Sequence, residues 1–309
     1  MVLMLFKTNI FGIVGSDNNP DYKQNQVLIW DDLNKKILAK FTLKAKEKVL
    51  NLKLRRDKII IVTKIKIYVF NSKNFQTIGI IETGPNPLGL IGINYTKEKA
   101  IIVYPSNDND KEKGQLTLKH FDESKNIYIN AHNHNVSYIA ISYNGLLLAT
   151  ASEEGKKIRI FETEKGDNLQ ELNRGNEKAD IKYISIDFKN QFIAASSERG
   201  TIHIWSLSQS IEKIKKSGKI LLVEEEKNNK ISNVGSVFSI LPNFLGVGYL
   251  KNEWSFAQVR LEGPYSIFHF GAENILVIIT SNGKYYKARI DLQKGGDCQI
   301  LAEVQLLEL

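Results

Sequence analysis

The sequence predicts an all-β chain folded as a WD40-type β-propeller, and three observations predict it. Short β-branched or aromatic segments recur along the whole chain with turn residues between them. Their aromatic ends, Trp30, Phe70, Phe121, Phe161 and Trp205, follow one another at 40, 51, 40 and 44 residues. Helical periodicity is scarce. A period of about forty residues built from strands marks repeated four-stranded sheets, each of which buries its faces only against a neighbour.

In chain order, Met1 to Val14 leans apolar but is interrupted by Lys7, Thr8 and Asn9 and has no basic leader, so it reads as an opening strand. The cluster Lys53, Arg55, Arg56 and Lys58 reads as a solvated turn between strands. The polar insertion Ser106–Gly114 accounts for the long interval of 51 and reads as a surface loop. Residues 136–172 and 179–207 then form two units with a similar polar signature. Thr150-Ala-Ser152-Glu-Glu-Gly155 precedes Ile158-Arg159-Ile160-Phe161, and Ser196-Ser197-Glu198-Arg199-Gly200-Thr201 precedes Ile202-His203-Ile204-Trp205. The last unit, Ser266 to Ile290, repeats the Gly200 motif at Gly283, 83 residues on. That doubled interval holds a long excursion, 208–252, within the penultimate unit. Six units are counted, in one domain spanning 1–309.

Between the two similar units stands Leu172-Asn173-Arg174-Gly175. Arginine offers a planar fork of donors, Ser and Thr offer hydroxyls, and glycine admits backbone amides, which together suit phosphate. A plain turn carrying a solvated charge has the same local sequence, and both readings stand at this point. In the excursion, Ile211, Ile214, Leu221 and Leu222 recur at near-helical spacing among Lys213, Lys215, Lys216 and Lys219. Such a basic amphipathic segment lies at a membrane surface, with Ile220, Leu221, Leu222 and Val223 as the inserting portion. The alternative is a strand over Lys219–Val223; Gly218 weakens a helix and Glu224–Glu226 repel anionic lipid. Val234 to Tyr249 is a second inserting candidate.

The net charge of +8 favours anionic partners: nucleic acid, phospholipid headgroups or acidic proteins. A single cysteine, Cys298, excludes a disulfide framework and a cysteine-based zinc site. No apolar run approaches the length of a transmembrane helix. His132 and His134 have no third ligand at a recognisable spacing, so they read as loop histidines rather than a metal pair. Neither a nucleophile elbow, a P-loop nor a dinucleotide fingerprint is present, so no catalytic residue and no cofactor is assigned. Aromatic residues end strands at the repeat spacing and read as core, which leaves nucleic acid favoured by charge alone.

Val27-Leu-Ile-Trp-Asp-Asp-Leu33, Leu54-Arg-Arg-Asp57, Asn86-Pro-Leu-Gly89, Ala149-Thr-Ala-Ser152, Ser196-Ser197 with Gly200-Thr-Ile-His203, and Glu253-Trp-Ser-Phe-Ala-Gln258 occur in one order along the chain. In these motifs the chain resembles the PROPPINs, the WIPI-type propellers that bind polyphosphoinositides. With Lys294-Gly-Gly-Asp-Cys298 it is most similar to the smaller WIPI-like branch. The resemblance implies seven blades, the first of them missing or incomplete here; strands from polypeptide ahead of Met1 or from a partner are expected, and a six-bladed ring with altered closure is the alternative. It implies a monomer that binds phosphatidylinositol 3-phosphate and phosphatidylinositol 3,5-bisphosphate. It also implies a cytoplasmic protein recruited peripherally to autophagic, endosomal or vacuolar membranes, with autophagy lipid-transfer or scaffold proteins as partners and no nucleic acid.

Two headgroup pockets follow from the same resemblance, one on either side of the Arg-Gly motif. The first comprises Thr150, Ser152, Gly155 and Arg159, with His132 or His134 nearby. The second comprises Arg174, Gly175, Ser197, Thr201 and His203, with Arg199 as an added cation. Two positions depart from the family: Asn173 replaces the first arginine of the motif and weakens the first pocket, and Lys156 stands where Thr is usual, partly restoring the charge. A propeller that has weakened or lost lipid binding and serves as a protein-interaction scaffold is the alternative.

Overall fold

The computed structural model describes the chain except residues 20, 97–98, 107–112, 122, 124, 217–252, 262, 264 and 308–309. Its strands form six sheets among the described residues, and the chain divides into two compact units, 1–111 with 116–126 and 112–115 with 127–309.

The first unit begins with β1 (Val2–Met4), β2 (Ile10–Val14), β3 (Gln26–Asp31) and β4 (Lys36–Thr42), an antiparallel meander. The single strand expected over Met1–Val14 is a hairpin instead. Lys7, Thr8 and Asn9 form its turn, closed by the Leu5 amide donating to the Ile10 carbonyl at 2.9 Å. A second meander follows: β5 (Asn51–Leu54), β6 (Lys58–Val62), β7 (Lys66–Asn71) and β8 (Thr77–Glu82). In β6 the run Ile59-Ile-Ile-Val62 is buried throughout, as a strand covered on both faces must be. Ile59 and Ile61 pack with Val27, Ile29 and Leu52, whereas Ile60 and Val62 pack with Ile102 and Tyr104. The latter two residues belong to β10 (Ile101–Pro105), which pairs with β9 (Gly92–Ile93) and β11 (Gln115–His120).

The basic cluster at 53–58 is not a solvated turn. Arg55 is only 2% exposed, and its guanidinium donates to Asp57 Oδ1 at 2.8 Å, Asn94 Oδ1 at 2.8 Å and the Thr96 carbonyl at 3.0 Å. Four successive residues alternate in exposure here, and the strand end turns Arg55 inward while Arg56 stays out, over the Phe6 ring at 5.2 Å.

In chain order next comes β12 (Lys125–Asn130), and the second unit continues with β13 (Val136–Ile141), β14 (Leu147–Ser152), β15 (Lys157–Glu162) and β16 (Asn168–Asn173) in an antiparallel meander. Then come β17 (Ile181–Ile186), β18 (Phe192–Ser197), β19 (Thr201–Ser206) and a helix, α1 (Ser208–Lys216). The chain re-enters the described structure at β20 (Glu253–Trp254), which joins β16 in parallel, and at β21 (Ala257–Arg260), which pairs with β19. The last sheet is β22 (Ser266–Phe270), β23 (Ile275–Thr280), β24 (Lys284–Arg289) and β26 (Gln299–Gln305), while β25 (Gly296–Asp297) adds to β21. The excursion therefore interrupts one sheet between its third and fourth antiparallel strands.

Alternate residues of each strand enter different cores. Ala149, Ala151, Ile158 and Ile160 pack with Ile184, Ile193, Ala195 and Trp205. Ala194, Ile202 and Ile204, the intervening residues, pack with Phe268, Leu276 and Ile278 of the last sheet.

Arg55→Ala is expected to destabilise the first unit by about 3 kcal/mol, because it strands buried acceptors, whereas Arg56→Ala should change stability by no more than about 0.5 kcal/mol. Urea denaturation of the two variants checks the contrast.

Candidate functional site

Residues directly opposite each other in adjacent strands share a sheet face. Thr150 lies opposite Arg159, Arg159 opposite Glu171, and Lys157 opposite Asn173. These residues, with Ser152, therefore line the face that is turned away from the Ala149–Ile160 core. His132 completes it: Nε2 lies 2.9 Å from Thr150 Oγ1, and the ring is buried. Of the two candidate histidines it is His132 that reaches the face, whereas His134 is exposed. Burial first, and the nearby Arg159 second, push the His132 pKa down to about 4, so the ring is neutral at pH 7.

Arg159 is already engaged. Its Nε donates to Glu171 Oε1 at 2.9 Å and its Nη1 to the Ala131 carbonyl at 2.7 Å, and Lys157 Nζ lies 3.0 Å from Glu171 Oε2. Burial alone would raise the Glu171 carboxyl, but Lys157 and Arg159 outweigh it and hold the group below the usual range. Glu171, which local sequence did not single out, is thus the internal counter-ion of this face. Lys156 is partly exposed and pairs with Glu154 at 3.2 Å.

The second face lies on the next sheet. His203 is opposite both Ala195 and Gln258, and Thr201 is opposite Arg260. With Ser197 two residues beyond Ala195, one face carries Ser197, Thr201, His203, Gln258 and Arg260. Ala195 and Trp205 of the same face pack against Ile158, Ile160 and Leu172, so this face looks onto the β13–β16 sheet. Arg174, at the end of β16, enters the gap. Its side chain is 7% exposed; Nε donates to the Gly155 carbonyl at 2.8 Å and Nη2 to the Glu177 carbonyl. A guanidinium has five N–H donors, so these two bonds leave it three.

The two glycines behave differently. Gly155 has φ +58°, and a Cβ there would stand 1.7 Å from the Ala179 carbonyl oxygen, so no side chain fits. At Gly175 a Cβ would meet nothing within 4 Å, so crowding does not demand glycine at that position. Arg199 is half-exposed, paired with the Glu177 carboxylate and donating to the Lys178 carbonyl at 3.2 Å. Glu177 therefore holds Arg174 with its carbonyl and Arg199 with its side chain. His203 Nδ1 lies 3.1 Å from Ser255 Oγ. Burial, then Arg174 and Arg260, push its pKa to about 4. Arg260 lies within 3.7 Å of Asp297 and is largely exposed. It escaped the sequence reading because the motif noted there stops at Gln258, two residues short on the same face.

The expected inserting residues Ile220, Leu221, Leu222 and Val223, and Val234–Tyr249, lie outside the described residues. The part of the segment that is described is an amphipathic helix, but its apolar side is turned inward. Ile211 and Ile214, three residues apart and so on one side of α1, pack against the core that contains Leu169 and Leu172 rather than facing outward. Among the described residues no helix is long and apolar enough to cross a membrane, and no three His, Cys, Asp or Glu residues converge as a metal site.

A family model described as PROPPIN matches residues 21–307. Autophagy-related protein 18e of Arabidopsis thaliana is 33% identical over 295 residues, covering 95% of this chain and 72% of that one. Autophagy-related protein 18 of Yarrowia lipolytica is 25% identical over 348 residues, covering 100% and 86%. Among solved structures, Kluyveromyces lactis Hsv2 with a complete loop 6CD superposes with a TM-score of 0.73 at 18% identity, covering 99% of this chain and 86% of that one. A complex of KlAtg21 with the coiled-coil of AgAtg16 gives 0.75 at 19% identity, covering 99% and 85%. The fold is accordingly an all-β, WD40-like propeller.

Because His132 and His203 titrate at about 4 when folded and near 6.5 when unfolded, the unfolded chain binds more protons between those values. Their stabilisation is complete above about pH 6.5 and is lost as pH falls toward 4, by up to about 3 kcal/mol each. Urea unfolding at pH 7 and pH 4.5 should show the loss, and His203→Gln should shrink it.

Proposed function

The chain belongs to the PROPPIN family, and we propose that it binds the headgroups of phosphatidylinositol 3-phosphate and phosphatidylinositol 3,5-bisphosphate as a peripheral membrane scaffold in autophagy or endolysosomal traffic. One observation supports this reading above the others. Arg174 is brought against a face that carries Ser197, Thr201, His203 and Arg260, with Arg199 beside it. Hydroxyls and a neutral imidazole on strands, with three guanidiniums on a strand or just beyond strand ends, are the groups a phosphate monoester on a ring needs: charge, forked donors and orientation.

Binding by such a site alone is weak. Each cation near an anionic membrane adds about 1 kcal/mol, and a headgroup contact linked to a surface contact gains through effective concentration. In this reading the excursion at 208–252 supplies the surface contact. The Arg174 face is the principal pocket, and the Arg159 face is the weaker one, since its cations are balanced by Glu171 and Asn173 adds none. The AgAtg16 coiled-coil bound by KlAtg21 supports a role in which protein partners are held at the membrane.

The scaffold reading without lipid binding has its own support: Arg159, Lys157 and Arg199 are all paired with internal acids. Flotation of the chain on vesicles with and without phosphatidylinositol 3-phosphate separates the two; co-flotation that does not depend on that lipid would end the phosphoinositide reading.

Arg260→Ala and Arg199→Ala, both at exposed positions, should each weaken headgroup binding about three- to tenfold with an unchanged melting temperature. Arg174→Glu should abolish flotation and lower the melting temperature too, since its bonds to Gly155 and Glu177 are lost.

Asn173→Arg should strengthen binding and raise the stoichiometry from about one headgroup to about two. Calorimetric titration with a soluble headgroup decides it, and two equal sites in the unaltered chain would contradict this reading.

A further inference from the structure

Three buried polar side chains meet behind the Arg174 face. Gln170 on β16, Ser210 on α1 and Glu253 on β20 are 5%, 0% and 8% exposed. Gln170 Nε2 donates to Glu253 Oε2 at 2.9 Å and to the Ser206 carbonyl at 3.3 Å, and Ser210 Oγ donates to Gln170 Oε1 at 2.6 Å. One amide thus joins three chain segments that are far apart in sequence.

What these segments carry gives the cluster its meaning. Glu253 pairs with Leu172 and Trp254 with Asn173 in a two-residue parallel ladder, which is too short to set its own register firmly. Two residues beyond Glu253, Ser255 meets His203 Nδ1. Immediately after the ladder on the other strand comes Arg174. The guanidinium of the principal pocket therefore follows the ladder that Glu253 makes, and the hydroxyl that meets the imidazole follows Glu253 itself. A buried carboxylate needs a donor, and Gln170 supplies one.

We propose that Gln170, Ser210 and Glu253 form a clasp that positions Arg174 and His203, and that Gln170 is the positioning residue on which headgroup affinity depends. The clasp touches no ligand itself. It fixes the β16–β20 register, and through it the spacing between the guanidinium on one sheet and the imidazole on the next. The ligand class rests on the phosphoinositide reading; the alignment of His203 does not.

The test uses the full chain, with calorimetric titration of inositol 1,3-bisphosphate and NMR titration of the His203 ring. Gln170→Glu sets two carboxylates against each other at the clasp. It should weaken headgroup binding about tenfold and move the His203 pKa from about 4 toward 6.5 as the ring is released to solvent. Gln170→Glu combined with Glu253→Gln exchanges donor and acceptor across the 170–253 contact, giving up the 3.3 Å bond to the Ser206 carbonyl, and should restore most of both readings. Ser210→Ala should shift both in the same direction by less. A folded Gln170→Glu with unchanged affinity and unchanged His203 titration would overturn the proposal, as would failure of the exchanged pair to restore them. If Gln170→Glu does not fold, Ser210→Ala decides: its shifts support the clasp and their absence overturns it. If the unaltered chain does not bind the headgroup, the phosphoinositide reading falls and the His203 titration alone judges the clasp.

Discussion

A β-sheet has two faces, and a sheet buried on both must satisfy each of them. This requirement organises the second unit. One face of the β13–β16 sheet is closed by aliphatic packing against β17 and β18. Its other face carries the apolar pair Leu148 and Phe161 but is polar at Thr150, Arg159 and Glu171, with His132 against them, and buried polar groups are tolerable only when donors find acceptors. The Arg159 bonds to Glu171 and Ala131 and the His132 contact with Thr150 meet that need. On the proposed reading, the groups that meet the headgroup are the same groups that satisfy this buried face.

That double duty shapes the electrostatics. Desolvation keeps both imidazoles neutral, so they contribute hydrogen bonds and shape rather than charge. The guanidiniums supply the positive charge, and internal acids hold them in place before any ligand arrives. Glu171 and Glu177 lower the order lost on binding, since the cations are already oriented, while they also compete for the same donors. Affinity at such a face is a difference between two sets of ion pairs. It is therefore sensitive to small changes in how the strands sit.

Much of the architecture was legible before any coordinates. Aromatic strand ends at a period of about forty residues located the sheets, and the repeated Thr150-to-Phe161 and Ser196-to-Trp205 signatures located the polar faces. What stayed hidden depended on register and exposure. Glu171 became visible only when Arg159 was found opposite it, and Arg260 only when it was found opposite Thr201. Arg55 and Arg56 are adjacent and chemically identical, yet one is a buried hub and the other is not, a distinction set by the direction in which a strand end turns. Ile211 and Ile214 have the spacing of a surface-seeking helix, and packing against Leu169 and Leu172 uses that spacing inward.

The docking of α1 on one side and of β20 on the other leaves the residues between them joined to the protein at two fixed points. Both points belong to one strand, since α1 packs on Leu169 and Leu172 while β20 pairs with Leu172 and Asn173. Any shift of β16 therefore carries the place where the chain leaves the sheets and the place where it returns together, so the two cannot be displaced independently.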